Sequence, residues 1–253
     1  MRTGNINVQA VLAQAQAKLS GTTQQTTSGN GTSDTEKIGK LYPPLAGVHQ
    51  RIAAQSQTAS ASLSALGQFK SDLFNLGTAA KNLTALSAAS TPQAIQTSLE
   101  QIVSAYNATL KSGAAMSTAG SDAGAGISGA QRELRATVDG AATPAGALAK
   151  LGVVRKPDGT LSLDTAALAK ALTSDRDGAV AALTGMAKSM SGIASKTLAD
   201  DSRLSTSLAR LDSRAQALKA QQAAVLSTAT ELAELSSSGT SWSAMALAAY
   251  RRV

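Results

Sequence analysis

The chain has 253 residues, of which 43% are hydrophobic but only 2% aromatic and 15% charged, with a net charge of +7. Few aromatics and many alanines argue against a thick globular core and favour close helix-to-helix packing, while the low charge points to burial in an assembly. Absence of cysteine excludes disulfides and thiolate metal sites, no apolar run reaches the ~18 residues of a membrane span, and basic residues spread without interleaved aromatics argue against a nucleic-acid stripe.

Residues 1–40 read as a flexible N-terminal segment with a linker. Val8, Leu12 and Leu19 give "INVQAVLAQAQAKL" a faint amphipathic pattern. The segment lacks the continuous apolar stretch of a cleaved secretory signal. The chain is therefore expected to stay in the cytosol or to leave by a route that reads an uncleaved, unfolded tail. Ser20–Glu36 carries many Gly, Ser and Thr and no large apolar residue. Burial there cannot offset ordering entropy, so a flexible linker is expected.

Residues 41–90 read as a long helix. Val48, Ile52, Gln55, Ala59, Ser62, Leu66, Phe69, Leu73, Leu76, Ala80 and Leu83 alternate spacings of four and three. That 3.5-residue repeat is the seam of a left-handed coiled coil. Pro43-Pro44 bounds it, because proline is tolerated only at a helix start. Gly67 and Gly77 inside it cost about 1 kcal/mol each against alanine.

Residues 91–185 read as a helical middle region with one hairpin. Thr91 is an N-cap with Pro92 at the first helical position. Ile95, Leu99, Ile102, Val103, Tyr106 and Leu110 form the apolar stripe, and Gly113 is expected to end the helix. "AGSDAGAGISG" reads as a loop, and "ISGAQRELRATVDG" as a short helix. Thr143-Pro144 then opens another short helix, which Gly152 closes with a left-handed cap.

The hairpin spans residues 151–164. Leu151, Val153, Leu161 and Leu163 fall on one side. In its turn Pro157 presets φ, Asp158 accepts local hydrogen bonds and Gly159 supplies positive φ, which predicts a type I turn with a glycine bulge. Asp164 caps the next helix, with Leu163 and Leu168 as a hydrophobic staple. A lone hairpin is marginal in water, so this one must lean on helices.

Residues 186–253 read as a C-terminal helix and tail. Leu204, Leu208, Leu211, Ala215, Leu218, Gln222, Val225, Ala229 and Leu232 repeat the four-three alternation. Ser236–Val253, with Trp242, reads as a weakly ordered tail. The expected fold class is mainly α. Long N- and C-terminal helices pair as an antiparallel coiled coil, with short helices and one small β-hairpin between them.

Chemistry is sparse. His49 is the sole histidine and reads as a surface or interfacial side chain. Asp175 and Asp177 lack the further ligands of a calcium loop and read as helix caps. "GSDAGAGISG" follows no strand and precedes no P-loop lysine, and no serine sits in a nucleophile elbow. The chain is expected not to be an enzyme and to hold no cofactor or metal.

Several segments, in this order, resemble the bacterial flagellar filament-capping family, hook-associated protein 2. "ASLSALGQFKSDLFNLGTAAKNLTAL" looks like its N-terminal coiled-coil helix. "QIVSAYNATL" is similar to its segment ending in a Tyr-Asn pair, here Tyr106 and Asn107. "LAKLGVVRKPDGTLSLDTAALAKAL" matches its Leu-Gly, Asp-Gly-Thr-Leu and Leu-Asp hairpin. "SRLSTSLARLDSRAQALKAQQAAVLSTATELAEL" resembles its C-terminal helix. The likeness runs from about Leu45 to the end, and the hairpin is its most specific piece. The family's glycine-rich N-terminal signature is absent. Its large head domains are replaced by the short stretch from Ser87 to Gln96.

The resemblance implies an assembly factor exported without a cleaved signal peptide and located outside the cell at the filament tip. It implies a homo-oligomeric ring. Other implied partners are flagellin, the hook–filament junction proteins and an export chaperone, with no nucleic acid and no membrane span. The implied interface is the seam of Ile52, Leu66, Phe69, Leu73, Leu76, Leu83, Leu204, Leu208, Leu211, Leu218, Val225 and Leu232. A secreted coiled-coil effector or adhesin derived from a cap protein is the alternative. A cytosolic helical module coating apolar granules is disfavoured, because the seams are narrow.

Overall fold

The computed structural model describes residues 29–41, 43–117, 124–141, 147–200 and 202–250. The described residues are mainly helical, with one two-stranded antiparallel sheet among them. In chain order come α1 (Gly29–Leu41), α2 (Pro43–Thr84), α3 (Pro92–Ser117), α4 (Gly124–Ala141) and α5 (Ala147–Lys150). Then follow β1 (Val153–Arg155), β2 (Leu161–Leu163), α6 (Thr165–Ser174), α7 (Arg176–Leu198) and α8 (Arg203–Tyr250).

The residues fall into two compact units. One comprises the described residues up to Ser60 together with those from Ser213 onward; the other is Ala61–Asp212. The division lies within α2 and within α8.

The second unit holds a continuous apolar core. Leu66, Phe69, Leu73, Leu76 and Leu83 supply α2's share, and Ile95, Leu99, Ile102 and Tyr106 supply that of α3. Leu134 and Val138 of α4, Leu183 and Met190 of α7, and Leu204 and Leu211 of α8 join the same cluster. Local chemistry sets the helix starts. Thr91 Oγ1 accepts from Ala94 N–H at 3.2 Å, and the Asp175 carboxylate accepts from Gly178 N–H at 2.9 Å. Asp175 is thus the N-cap of α7. The connection between α2 and α3 is a tight turn, closed by Ser90 N–H to Ser87 O at 2.9 Å and by the Arg176 guanidinium donating to Ser90 O.

Two glycines work differently from the sequence reading. Gly113 does not end α3, which runs on to Ser117. Gln131 of α4 lies over it, donating Nε2 to Leu110 O at 2.9 Å. A β-carbon on Gly113 would collide with that carboxamide and come within 3.1 Å of the Phe69 ring. Gly77 likewise allows close approach, since its β-carbon would stand 3.0 Å from Ala194 Cβ. Its helix-propensity cost is the condition for that contact.

The terminal unit is thinner. Its buried residues include Ile38, His49, Ser56, Ala59, Ala215, Leu218 and Ala229. Three readings change here. From Gly29 the expected linker is helical, because Ile38 is fully buried and the Thr35 hydroxyl bonds His49 Nδ1 at 2.9 Å. His49 is accordingly packed inside. The expected tail continues α8 to Tyr250, in a stretch rich in alanine and free of proline. Residues 1–28, with Val8, Leu12 and Leu19, lie outside the described residues, as does Thr143-Pro144. The expected 119–129 loop is helical from Gly124, where Ile127 is buried.

Candidate functional site

The most elaborate polar arrangement among the described residues surrounds the hairpin. β1 and β2 pair with Val153 opposite Leu163, Val154 opposite Ser162 and Arg155 opposite Leu161. The turn between them is closed by Gly159 N–H to Lys156 O at 2.9 Å and by Lys156 N–H to Thr160 O at 2.8 Å. Pro157 is exposed at its tip. Asp158 accepts from Thr160 N–H at 2.9 Å and from the Thr160 hydroxyl at 2.6 Å. Gly159 has φ +86° and Gly152 φ +75°, a region that β-branched residues avoid. Gly152 O accepts from Asp164 N–H at 2.8 Å, and Asp164 then caps α6 through Ala166 and Ala167 N–H. Leu151, Val153 and Leu161 are buried, with Leu163 half-buried against the core.

Gly159→Val should therefore destabilise the hairpin by about 1–3 kcal/mol through backbone strain. Gly159→Ala, without the β-branch, should cost less. Chemical denaturation of both variants checks this.

What secures the hairpin is Asn107. Its Oδ1 accepts from Leu161 N–H at 2.8 Å and its Nδ2 donates to Leu161 O at 2.9 Å. The pairs flanking this position, Lys156 with Thr160 and Gly152 with Asp164, place the Leu161 amide on the strand edge away from β1. One carboxamide thus satisfies both groups as a neighbouring strand would. A second tie joins Arg155 Nη1 to Asp139 at 3.0 Å. The Arg135 guanidinium borders Gly159, 3.6 Å from where its β-carbon would stand.

Tyr106, beside Asn107, is fully buried. Burial pushes its hydroxyl above the usual phenol range, Arg135 and Arg155 pull the other way, and Asp139 adds to the rise. The resemblance marks Tyr106 and Asn107 as a pair. The signal for the role of Asn107 is an asparagine in a helix interior, where it is a poor former, next to the apolar stripe.

The turn carries its own pH dependence. The Asp158 carboxyl is held below its ordinary range, first by the Thr160 hydroxyl and then by the Thr160 amide. A depressed folded value gives stability that is present above the unfolded value and lost as pH falls through the folded one. The hairpin amides should lose protection, relative to their intrinsic exchange rate, below about pH 4, and Asp158→Ala should remove that acid dependence. Amide exchange against pH reads both.

The seam residues occupy two settings. Leu66, Phe69, Leu73, Leu76, Leu83, Leu204 and Leu211 are buried in the core of Ala61–Asp212, with Leu208 half-buried beside them. Leu218 is buried in the terminal unit, whereas Ile52, Val225 and Leu232 are only half-buried. Gln55, expected on the seam, is exposed, and Ser56 is buried instead.

Among the described residues there is no group of three or more His, Cys, Asp or Glu placed to hold a metal, and no helix long and apolar enough to cross a membrane. A groove between α3 and α6, lined by Pro92, Gln96, Glu100, Leu168 and Leu172, offers one carboxylate, which accepts from Gln96 at 2.9 Å. The arrangement is one of packing and hydrogen bonding. No protein-family model, no curated protein and no solved structure matches the chain.

Proposed function

We propose that the chain is a structural assembly factor of the bacterial flagellum, a short relative of the filament-capping family that acts at the filament tip and helps flagellin subunits polymerise. On this reading α2 and α8 pair as an antiparallel coiled coil, copies of the chain form a ring, and contact with flagellin is made by packing without a covalent step. The observation that carries the reading is that the described residues up to Ser60 and those from Ser213 onward fall in one compact unit. An assembly built on paired terminal helices needs the two ends in one unit, and this grouping supports that reading. The hairpin with its Tyr106-Asn107 partner supports it.

Deletion of the gene tests the reading. The expected outcome is loss of filaments with unpolymerised flagellin released into the medium; normal filaments would overturn it. A second reading is favoured by the short α2–α3 connection, which stands where the family carries its head domains. It is a secreted coiled-coil effector or adhesin, and it predicts export of the chain with normal motility in the deletion strain.

A further inference from the structure

We infer that one ordered water molecule sits beneath the hairpin and bridges the Tyr106 hydroxyl of α3 to the Arg135 guanidinium of α4. Three buried side-chain polar atoms among the described residues have no hydrogen-bonding partner within the protein: Tyr106 Oη, Arg135 Nε and Arg176 Nε. Buried polar atoms are in the large majority paired with protein or with ordered water, so each calls for a partner. Arg176 stands apart at the α2–α3 turn, where its guanidinium already donates to Ser90 O. The other two share one neighbourhood.

The strand pair Arg155–Leu161 sets that neighbourhood. From α3, Asn107 grips Leu161 by two hydrogen bonds, and Tyr106 is the residue before it. From α4, Asp139 grips Arg155 at 3.0 Å, and Arg135 lies one turn earlier on the same helix face. Arg135 Nε reaches the hairpin turn, 3.6 Å from where a Gly159 β-carbon would stand. Burial dominates the shift of the Tyr106 hydroxyl, and among the charges acting on it Arg135 comes first, ahead of Arg155 and Asp139. The two orphaned atoms are thus close without bonding each other, and a third atom is needed between them. Chemistry selects water for it. Nε–H only donates, whereas the phenol hydroxyl both donates and accepts. A water oxygen accepts from Nε–H and completes a bond of either sense with the hydroxyl. A halide would only accept, and would lose its hydration on entering. No counter-ion is required, because Arg155 already pairs with Asp139 and half-buried Arg135 keeps part of its charge in solvent. The bridge ties α3 to α4 where both hold the hairpin, and it does not depend on the capping role.

A crystal structure of the full-length chain, grown with bromide in the solution, tests this. The expected result is one water oxygen within about 3.2 Å of both Tyr106 Oη and Arg135 Nε, with no anomalous signal. An anomalous peak there would make the bridge a halide and overturn the inference. Separate waters on the two atoms, a direct bond from Nε to Oη, or nothing between them would overturn it as well. A second measurement reads the bridge in solution. Tyr106→Phe keeps the ring and Arg135→Met keeps most of the stem, so both variants and their combination should fold. Each single change should raise the unfolding constant about three- to thirtyfold. Because either change breaks the same bridge, the double variant should fall short of the product of the two by at least about threefold. Simple multiplication would show that the two groups act independently and would sink the inference.

Discussion

Replacing Asn107 by leucine is expected to lower the unfolding free energy by about 2–5 kcal/mol, because the Leu161 N–H and C=O both lose their partner and each orphaned buried group costs about 1–3 kcal/mol. Leu161 is 2% exposed, so water is poorly placed to replace the carboxamide. For a chain of this size the midpoint of thermal unfolding should fall by roughly 5–15 °C. The local signature is sharper: the Leu161 amide should lose protection more than amides of α7, which contribute nothing to the clasp. Asn107→Asp separates the two bonds. It keeps an acceptor for Leu161 N–H but sets an anionic oxygen against Leu161 O. This variant should be as unstable as the leucine one at neutral pH. It should recover part of the loss at acid pH, where a protonated carboxyl can donate. Equal stability of wild type and both variants would show that the hairpin is held by its apolar face alone.

Asn107 also shows where sequence reading stops. The hairpin itself was legible to within a residue, since Gly152, Pro157, Asp158, Gly159 and Asp164 each answer a local backbone demand that neighbouring residues state. The bond from Asn107 to Leu161 joins residues 54 positions apart, and nothing in periodicity fixes the register of a helix against a distant strand. The glycines make the same point. Gly159 was readable because a turn needs it. Gly113 resembled a helix stop, and the real demand on it comes from Gln131 and Phe69, on other helices. Over Gly29–Glu36 the linker reading fails in the opposite direction: Ser- and Thr-rich composition predicted no structure, while the helix there is accompanied by burial of Ile38 and the Thr35–His49 bond. Long-range packing overrides weak local preference there.

The apolar rows match burial within Ala61–Asp212 and depart from it at Gln55, where Ser56 is buried instead, so what they contribute differs along each helix. Leu211→Asp measures this where α8 is fastened to the core of Ala61–Asp212. Leu211 is 8% exposed and belongs to that core. Losing its side chain costs about 2–5 kcal/mol in transfer and cavity terms, and a carboxylate without a cation partner adds a desolvation penalty. The expected total exceeds about 4 kcal/mol, a large part of the stability of an ordinary domain. Arg210→Asp, one residue away and exposed, should change stability by no more than about 0.5 kcal/mol, although it brings the same carboxylate. Leu211→Met keeps volume and apolarity and should cost less than about 1.5 kcal/mol. The contrast between neighbouring positions isolates burial, because Arg and Leu have similar helix propensity and the exposed substitution carries the larger charge change, two units against one. Thermal unfolding of the three variants reads the contrast directly. If Leu211→Asp melts like Arg210→Asp, the row on α8 does not hold that helix to the core of Ala61–Asp212.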